Sequence, residues 1–139
     1  MFLLDTNVVS ELRKAKNGTA HPGVVRWAAA QNVAELFIAA VTLMELEIGV
    51  LRAQRKDTRQ GQALRLWLQN QVVKHFQNRI LSFGADEALC CATLHVPNKC
   101  PERDAIIAAT AIVHGMTVVT RNVADFSATG AAMLNPWDV

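Results

Sequence analysis

Short apolar runs alternate with longer stretches of helical spacing along this chain, and the alternation sets the expected fold. Phe2, Leu3 and Leu4 form an unbroken apolar run ended by Asp5, as a strand buried on both faces of a sheet does. A short helix over Val8–Arg13 and a loop over Lys16–Thr19 follow. His21-Pro22 opens a second helix to about Gln31, with Pro22 in the first turn, where its missing N–H is not needed. Val25, Ala28 and Ala29 form its apolar stripe. Phe37–Val41 reads as a second strand, and Thr42 as the cap of a third helix, with Glu45 completing a Thr-x-x-Glu capping box. Leu43, Leu46 and Val50 give that helix its apolar face. Glu45, Gly49 and Arg52 share one side, and Glu47 points elsewhere. A glycine inside a helix costs about 1 kcal/mol relative to alanine, so Gly49 suggests a close approach to the backbone one turn beyond Glu45.

Gln54–Gly61 reads as a charged connection. Gln62–Gln77 returns to helical spacing, with Leu64, Trp67, Leu68, Val72 and Phe76 inward. Ile80–Phe83 is a third strand and Asp86–Leu94 a helix, broken by Val96–Pro101. Arg103–Val113 is apolar nearly all round, hence a buried helix, stopped by Gly115. Thr117–Thr120 is a fourth strand, followed by a loop carrying Asp125, and a last strand lies near Met133-Leu134. Strands alternating with helices predict an α/β fold, a parallel sheet covered on both faces, in one domain spanning residues 1–139.

Composition narrows the picture slightly. Half of the 139 residues are apolar, too many for a disordered chain. The longest nearly apolar stretch, Ala105–Val113, is too short to cross a bilayer, and Asp5 interrupts the amino terminus where a secretory signal would run. A soluble, cytoplasmic protein is expected. Cys90, Cys91 and Cys100 have neither metal-ligand nor disulfide spacing and read as small buried residues. The net charge of +2 matters less than its grouping in Arg13-Lys14-Ala15-Lys16 and Arg52–Arg59. A solvated helix end explains either group taken singly.

The chemistry lies in four acids. Asp5 and Asp125 follow predicted strands, Glu45 lies one turn into a helix that follows one, and Asp104 opens a helix leading into one. Each has a capping role available to it. In a doubly wound sheet all four positions nevertheless converge on the carboxyl edge, where such folds bind ligands. Two unit charges about 4 Å apart repel by roughly 4 kcal/mol at an effective dielectric near 20, so such a cluster needs protons or a cation. An all-oxygen site suits Mg²⁺ or Mn²⁺, and the lack of a His or Cys constellation argues against zinc.

Four blocks then carry a resemblance. Leu4-Asp5-Thr6-Asn7-Val8, Thr42–Gly49, Asp104–Ala111 and Val119–Phe126 resemble, in order and spacing, the PIN-domain ribonucleases. More narrowly they resemble the VapC toxins of bacterial toxin–antitoxin pairs, on the FitB-like branch, which the terminal Leu134-Asn135-Pro136-Trp137 also fits. The resemblance implies a PIN-domain-like five-stranded parallel sheet with helices on both faces, and a Mg²⁺- or Mn²⁺-dependent endoribonuclease. It makes Asp5, Glu45, Asp104 and Asp125 the acidic set, with Asp5 and Asp104 as direct ligands and Asp125 acting through water. Asn7, Thr120 and Asn122 become the polar residues that hold the acids. It further implies a homodimer, a small cognate antitoxin, operator DNA bound only through that antitoxin, and products ending in 5′-phosphate and 3′-hydroxyl. The helix before Asp104 departs from the pattern: Leu89–His95 lacks the relatives' basic residues, and Lys99 and Arg103 are the candidates to replace them.

Arg13, Lys14, Arg52 and Arg55 are candidates for an RNA-gripping rim around the acids. Two other readings compete. An aspartyl-phosphate phosphatase also ends its first strand on a nucleophilic Asp, but has a second Asp where this chain has Asn7. A module that keeps the fold and binds RNA or antitoxin without turnover is the non-enzymatic alternative. The same metal chemistry would also cut DNA.

Overall fold

The computed structural model describes residues 1–139. Five parallel strands form one sheet in the order β3-β2-β1-β4-β5: β1 (Phe2–Leu4), β2 (Leu36–Ala39), β3 (Ile80–Leu81), β4 (Thr117–Val119) and β5 (Met133–Leu134). The central strand is the amino-terminal apolar run, in register with both neighbours (Leu3 opposite Phe37 and Val118). Strand order runs one way from β1 to β3 and the other from β4 to β5. The crevice between β1 and β4 is therefore the topological switch point.

Alternation along each strand divides the core into two layers. Leu4, Ile38 and Val119 face one layer with Val8, Val24, Trp27, Leu46, Val50, Leu68, Val72 and Phe76. Leu3, Ala39 and Val118 face the other, with Ile107, Ala108, Ala111, Met116 and Phe126. Seven helices supply these layers: α1 (Thr6–Arg13), α2 (Pro22–Ala30), α3 (Ala40–Lys56), α4 (Thr58–Trp67, continued by a π-helical turn over Leu68–Val73), α5 (Ala85–Thr93), α6 (Glu102–His114) and α7 (Val123–Phe126). None is long and apolar enough to cross a membrane. The three cysteines are unpaired, and burial raises the pKa of the Cys91 and Cys100 thiols.

Several expectations need correction. β2 ends at Ala39, opposite Leu81 of β3, and α3 begins at Ala40, so Thr42 lies inside the first turn and does not cap it. Its fully buried hydroxyl has no hydrogen-bond partner. α2 buries Val24 and Trp27, while Ala29 is exposed, which turns the predicted stripe by about one residue. α6, by contrast, is buried all round from Ile107 to Ala111 as expected, and Ile112 and Val113 are exposed only in its last turn. The supposed connection Gln54–Gly61 is helical except at Asp57, which ends α3 and starts α4 by accepting the N–H groups of Arg59 and Gln60. Charge had marked a solvated helix face, not a loop.

The close backbone approach expected at Gly49 occurs instead at Gly61. Gly49 has open space around its missing side chain, and nothing approaches it. At Gly61 a Cβ would come within 2.5 Å of the Gln54 Cα, because α4 folds back antiparallel on α3 there. Farther along the same crossing, both Arg65 guanidinium nitrogens reach the Glu47 carboxylate at 2.6 Å. Gly49→Ala is therefore expected to stabilise the protein by about 1 kcal/mol. Gly61→Ala should destabilise it by about 1–2 kcal/mol, because overpacking against backbone outweighs the gain in helix propensity. Urea midpoints of the two variants moving in opposite directions check this pair.

Candidate active site

Asp5 leaves β1 at the switch point. Its N–H extends the ladder to the Val119 carbonyl at 2.9 Å. One carboxylate oxygen caps α1 by accepting the Thr6 N–H at 2.8 Å. The other accepts the Thr120 hydroxyl at 2.8 Å and the Asn7 amide at 3.3 Å. Asp5 is thus both a cap and a member of the cluster. The Thr120 hydroxyl, just past β4, accepts the Asn122 backbone N–H at 3.0 Å, and the Asn7 side-chain Oδ1 accepts the Arg121 backbone N–H at 3.3 Å. These contacts tie the ends of β1 and β4 together around one carboxylate. Asn7 and Thr120 act through side chains; Asn122 acts here through its backbone.

Glu45, on the second turn of α3, reaches the same edge. Its Oε1 accepts the Thr6 hydroxyl at 3.0 Å and its Oε2 the Arg103 Nη1 at 3.2 Å. Thr6 therefore bridges two acids, Asp5 through its backbone and Glu45 through its side chain. Sequence reading passed over Thr6; the signal was a hydroxyl lying between Asp5 and Asn7 within one block. Glu47 lies off the site in its pair with Arg65. Asp104 stands in the first turn of α6, one residue after the helix start was expected. Asp125 is exposed in the short helix α7 rather than in a loop.

The electrostatics show that the four acids share one place. Burial raises the pKa of Asp5, outweighing the Thr120 and Thr6 hydrogen bonds that lower it, and the charges of Glu45 and Asp125 push it up further. Asp104 is also raised, by burial first and then by the charges of Asp5, Asp125 and Glu45. As placed, no three of the chain's His, Cys, Asp and Glu side chains form a closed ligand set. The donors are nevertheless all carboxylate oxygens, and beyond burial the charges of their neighbours raise the pKa of Asp5 and Asp104, the chemistry that a hard cation relieves.

Glu45 and Asp104 open onto a cleft of about 770 Å³ that is also lined by Lys99, Cys100, Pro101, Glu102 and Arg103. The four basic residues proposed as a rim do not line it. Arg13 lies over the Trp67 ring at 5.7 Å and Lys14 pairs with Glu11 at 3.3 Å. Arg52 and Arg55 are exposed along α3 beyond Glu45. The cations at the cleft are Lys99 and Arg103, the pair named as substitutes.

Comparison with known proteins agrees with this geometry. The PIN domain family matches residues 2–131. VapC ribonuclease Y4jK of Sinorhizobium fredii is 34% identical, with 99% of each chain covered. Toxin FitB of Neisseria gonorrhoeae is likewise 34% identical over 99% of each chain. The solved structure of FitAB bound to the IR36 DNA fragment superposes with a TM-score of 0.90 at 30% identity, covering 100% of this chain and 97% of that one. With its fold, its order of acidic blocks and its full-length relatives in agreement, the chain belongs to the PIN-domain family, beside the VapC ribonucleases and FitB.

Proposed function

We propose that this protein is an endoribonuclease dependent on Mg²⁺ or Mn²⁺ and acts as the toxin of a toxin–antitoxin pair. The observation that carries the reading is the convergence of Asp5, Glu45, Asp104 and Asp125 at the switch point, where their charges act on one another. The two relatives, one called a ribonuclease and the other a toxin, support the same reading.

Asp5 and Asp104 are the direct metal ligands in this reading, with Glu45 and Asp125 completing the acidic set, the latter through water. A divalent ion held there would lower the pKa of a water for in-line attack and offset charge on the phosphodiester. The chain's own part is orientation. Thr120 and Asn7 fix the Asp5 oxygens, Thr6 holds Asp5 and Glu45 in mutual register, and Lys99 and Arg103 offer cationic partners for RNA phosphates at the cleft. Asn7 also favours this reading over the phosphatase. It donates to Asp5 from the position where a phosphatase has its second Asp.

The partner is a small antitoxin, with operator DNA reached through it, a reading supported by the FitAB assembly on DNA. Leu89, Ile112 and Val113 leave apolar surface exposed on α5 and α6 that suits a homodimer.

The test is metal removal. Cleavage of a structured model RNA is expected to vanish in EDTA and return with Mg²⁺ or Mn²⁺. A DNA strand of the same sequence in parallel separates ribonuclease from general nuclease. An undiminished rate in excess EDTA overturns the metal reading, and tight RNA binding without cleavage in any divalent ion favours the binding module.

A further inference from the structure

The cleft carries an internal cation where the metal reading needs free acid. Glu45 has both oxygens engaged, one by the Thr6 hydroxyl and the other by the Arg103 guanidinium. Arg103 immediately precedes Asp104 on the first turn of α6, and its side chain is 51% exposed against 22% for Glu45. It therefore approaches from the solvent side on a flexible stem, while Thr6 holds Glu45 from the protein side. Lys99 and Glu102 line the same cleft.

Resting on the metal reading above, we propose that Arg103 is an exchangeable counter-ion. It neutralises Glu45 while no divalent cation is bound, releases it when one enters, and then takes a phosphate of the RNA. Four carboxylates at one edge need positive charge in either state. One guanidinium against Glu45 supplies part of it in the metal-free protein. An ion pair this exposed is weak, so it yields to a divalent ion, whose charge also repels the guanidinium. The freed group has the planar fork that matches a phosphate, and it stays tethered beside Asp104.

The test uses the full chain and Arg103→Gln, a change at a half-exposed position that leaves the core untouched. Mn²⁺ binding is measured by electron paramagnetic resonance without RNA, and RNA cleavage at saturating Mn²⁺. Removing the competing cation should tighten Mn²⁺ binding about fivefold, the upper range for an exposed pair. The same variant should raise KM for RNA and reduce the salt dependence of RNA binding by about one phosphate contact. Opposite effects on the two ligands are the signature of exchange. Mn²⁺ affinity within twofold of wild type, or weaker, overturns the proposal. So does tighter Mn²⁺ binding with an unchanged KM, which would make Arg103 merely a nearby charge. If wild type binds no Mn²⁺ at all, the metal reading itself fails, and that result is distinct from the other two.

Discussion

Asp104→Asn and Asp5→Asn should each lower RNA cleavage by about 10³-fold or more, the size of losing a principal charge-stabilising group, and both proteins should remain folded. At position 5 an Asn side-chain oxygen still accepts the Thr6 N–H. The Thr120 hydroxyl already accepts the Asn122 N–H and the Asn7 amide, so the new amide displaces the longer of these, the 3.4 Å bond from Asn7. At position 104 there is less to lose, since only burial and neighbouring acids act on the carboxylate. The Asp104→Asn protein should therefore also be more heat-stable than wild type in EDTA at neutral pH, by about 3 °C for repulsion on the order of 1 kcal/mol.

The sign of the pH dependence follows from linkage. The folded protein holds the Asp104 proton more tightly than the unfolded chain, whose value is near 3.8. The ionised acid thus begins to cost stability as pH rises past that value, and the cost is complete above the raised folded value. The advantage of Asp104→Asn should be absent below a pH of about 3.8, the unfolded value, grow as pH rises, and shrink again when Mg²⁺ is added. Calorimetry across pH, beside a cleavage assay, checks both halves. Full metal-dependent cleavage by either variant would remove the acids from the mechanism.

Phe126→Ala should be the most damaging single change away from the acids. Phe126 is fully buried and packs with Ile107, Met116, Val118 and Ala131. Its truncation should cost about 3–5 kcal/mol, a large share of the roughly 5–15 kcal/mol that holds a domain together. It also anchors α7, whose residues Val123–Phe126 make barely one turn and cannot persist unaided. Asp125 precedes it directly, so the surviving folded fraction should cleave RNA at least tenfold more slowly and need more Mn²⁺. Urea unfolding and a Mn²⁺ titration of the rate measure the two effects, with Phe126→Leu as the milder control. A loss of stability with normal Mn²⁺ dependence would separate α7 packing from the site.

What the sequence revealed followed physical periodicity. The Phe2–Leu4 run, the acid that ends it and the alternation of strands and helices were legible because burial on both faces leaves no other pattern. The meeting of the four acids was legible because parallel topology sends strand ends and helix starts to one edge. Thr42 was misread because the boundary of α3 depends on where β2 stops pairing with β3, which no local pattern records. The pair at Gln54 and Gly61 was missed because close helix crossing is a property of two segments. Arg13 and Lys14 form a conspicuous basic group, yet composition carries no direction. Eight residues of helix place Arg13 about 12 Å from Asp5, stacked on Trp67.

The π turn after Trp67 has a consequence for how the chain tolerates changes in length. Leu68, Val72 and Phe76 stay buried at successive intervals of four, a spacing that drifts around an α-helix and that looser winding brings back toward the sheet. Between the first two lie Gln69, Asn70 and Gln71, all turned to solvent. Dropping one of these three would leave every core-facing side chain in the sequence and let the ordinary ladder re-form. A relative one residue shorter could therefore lose its residue here, where the helix is wound as a π turn, and keep a continuous helix.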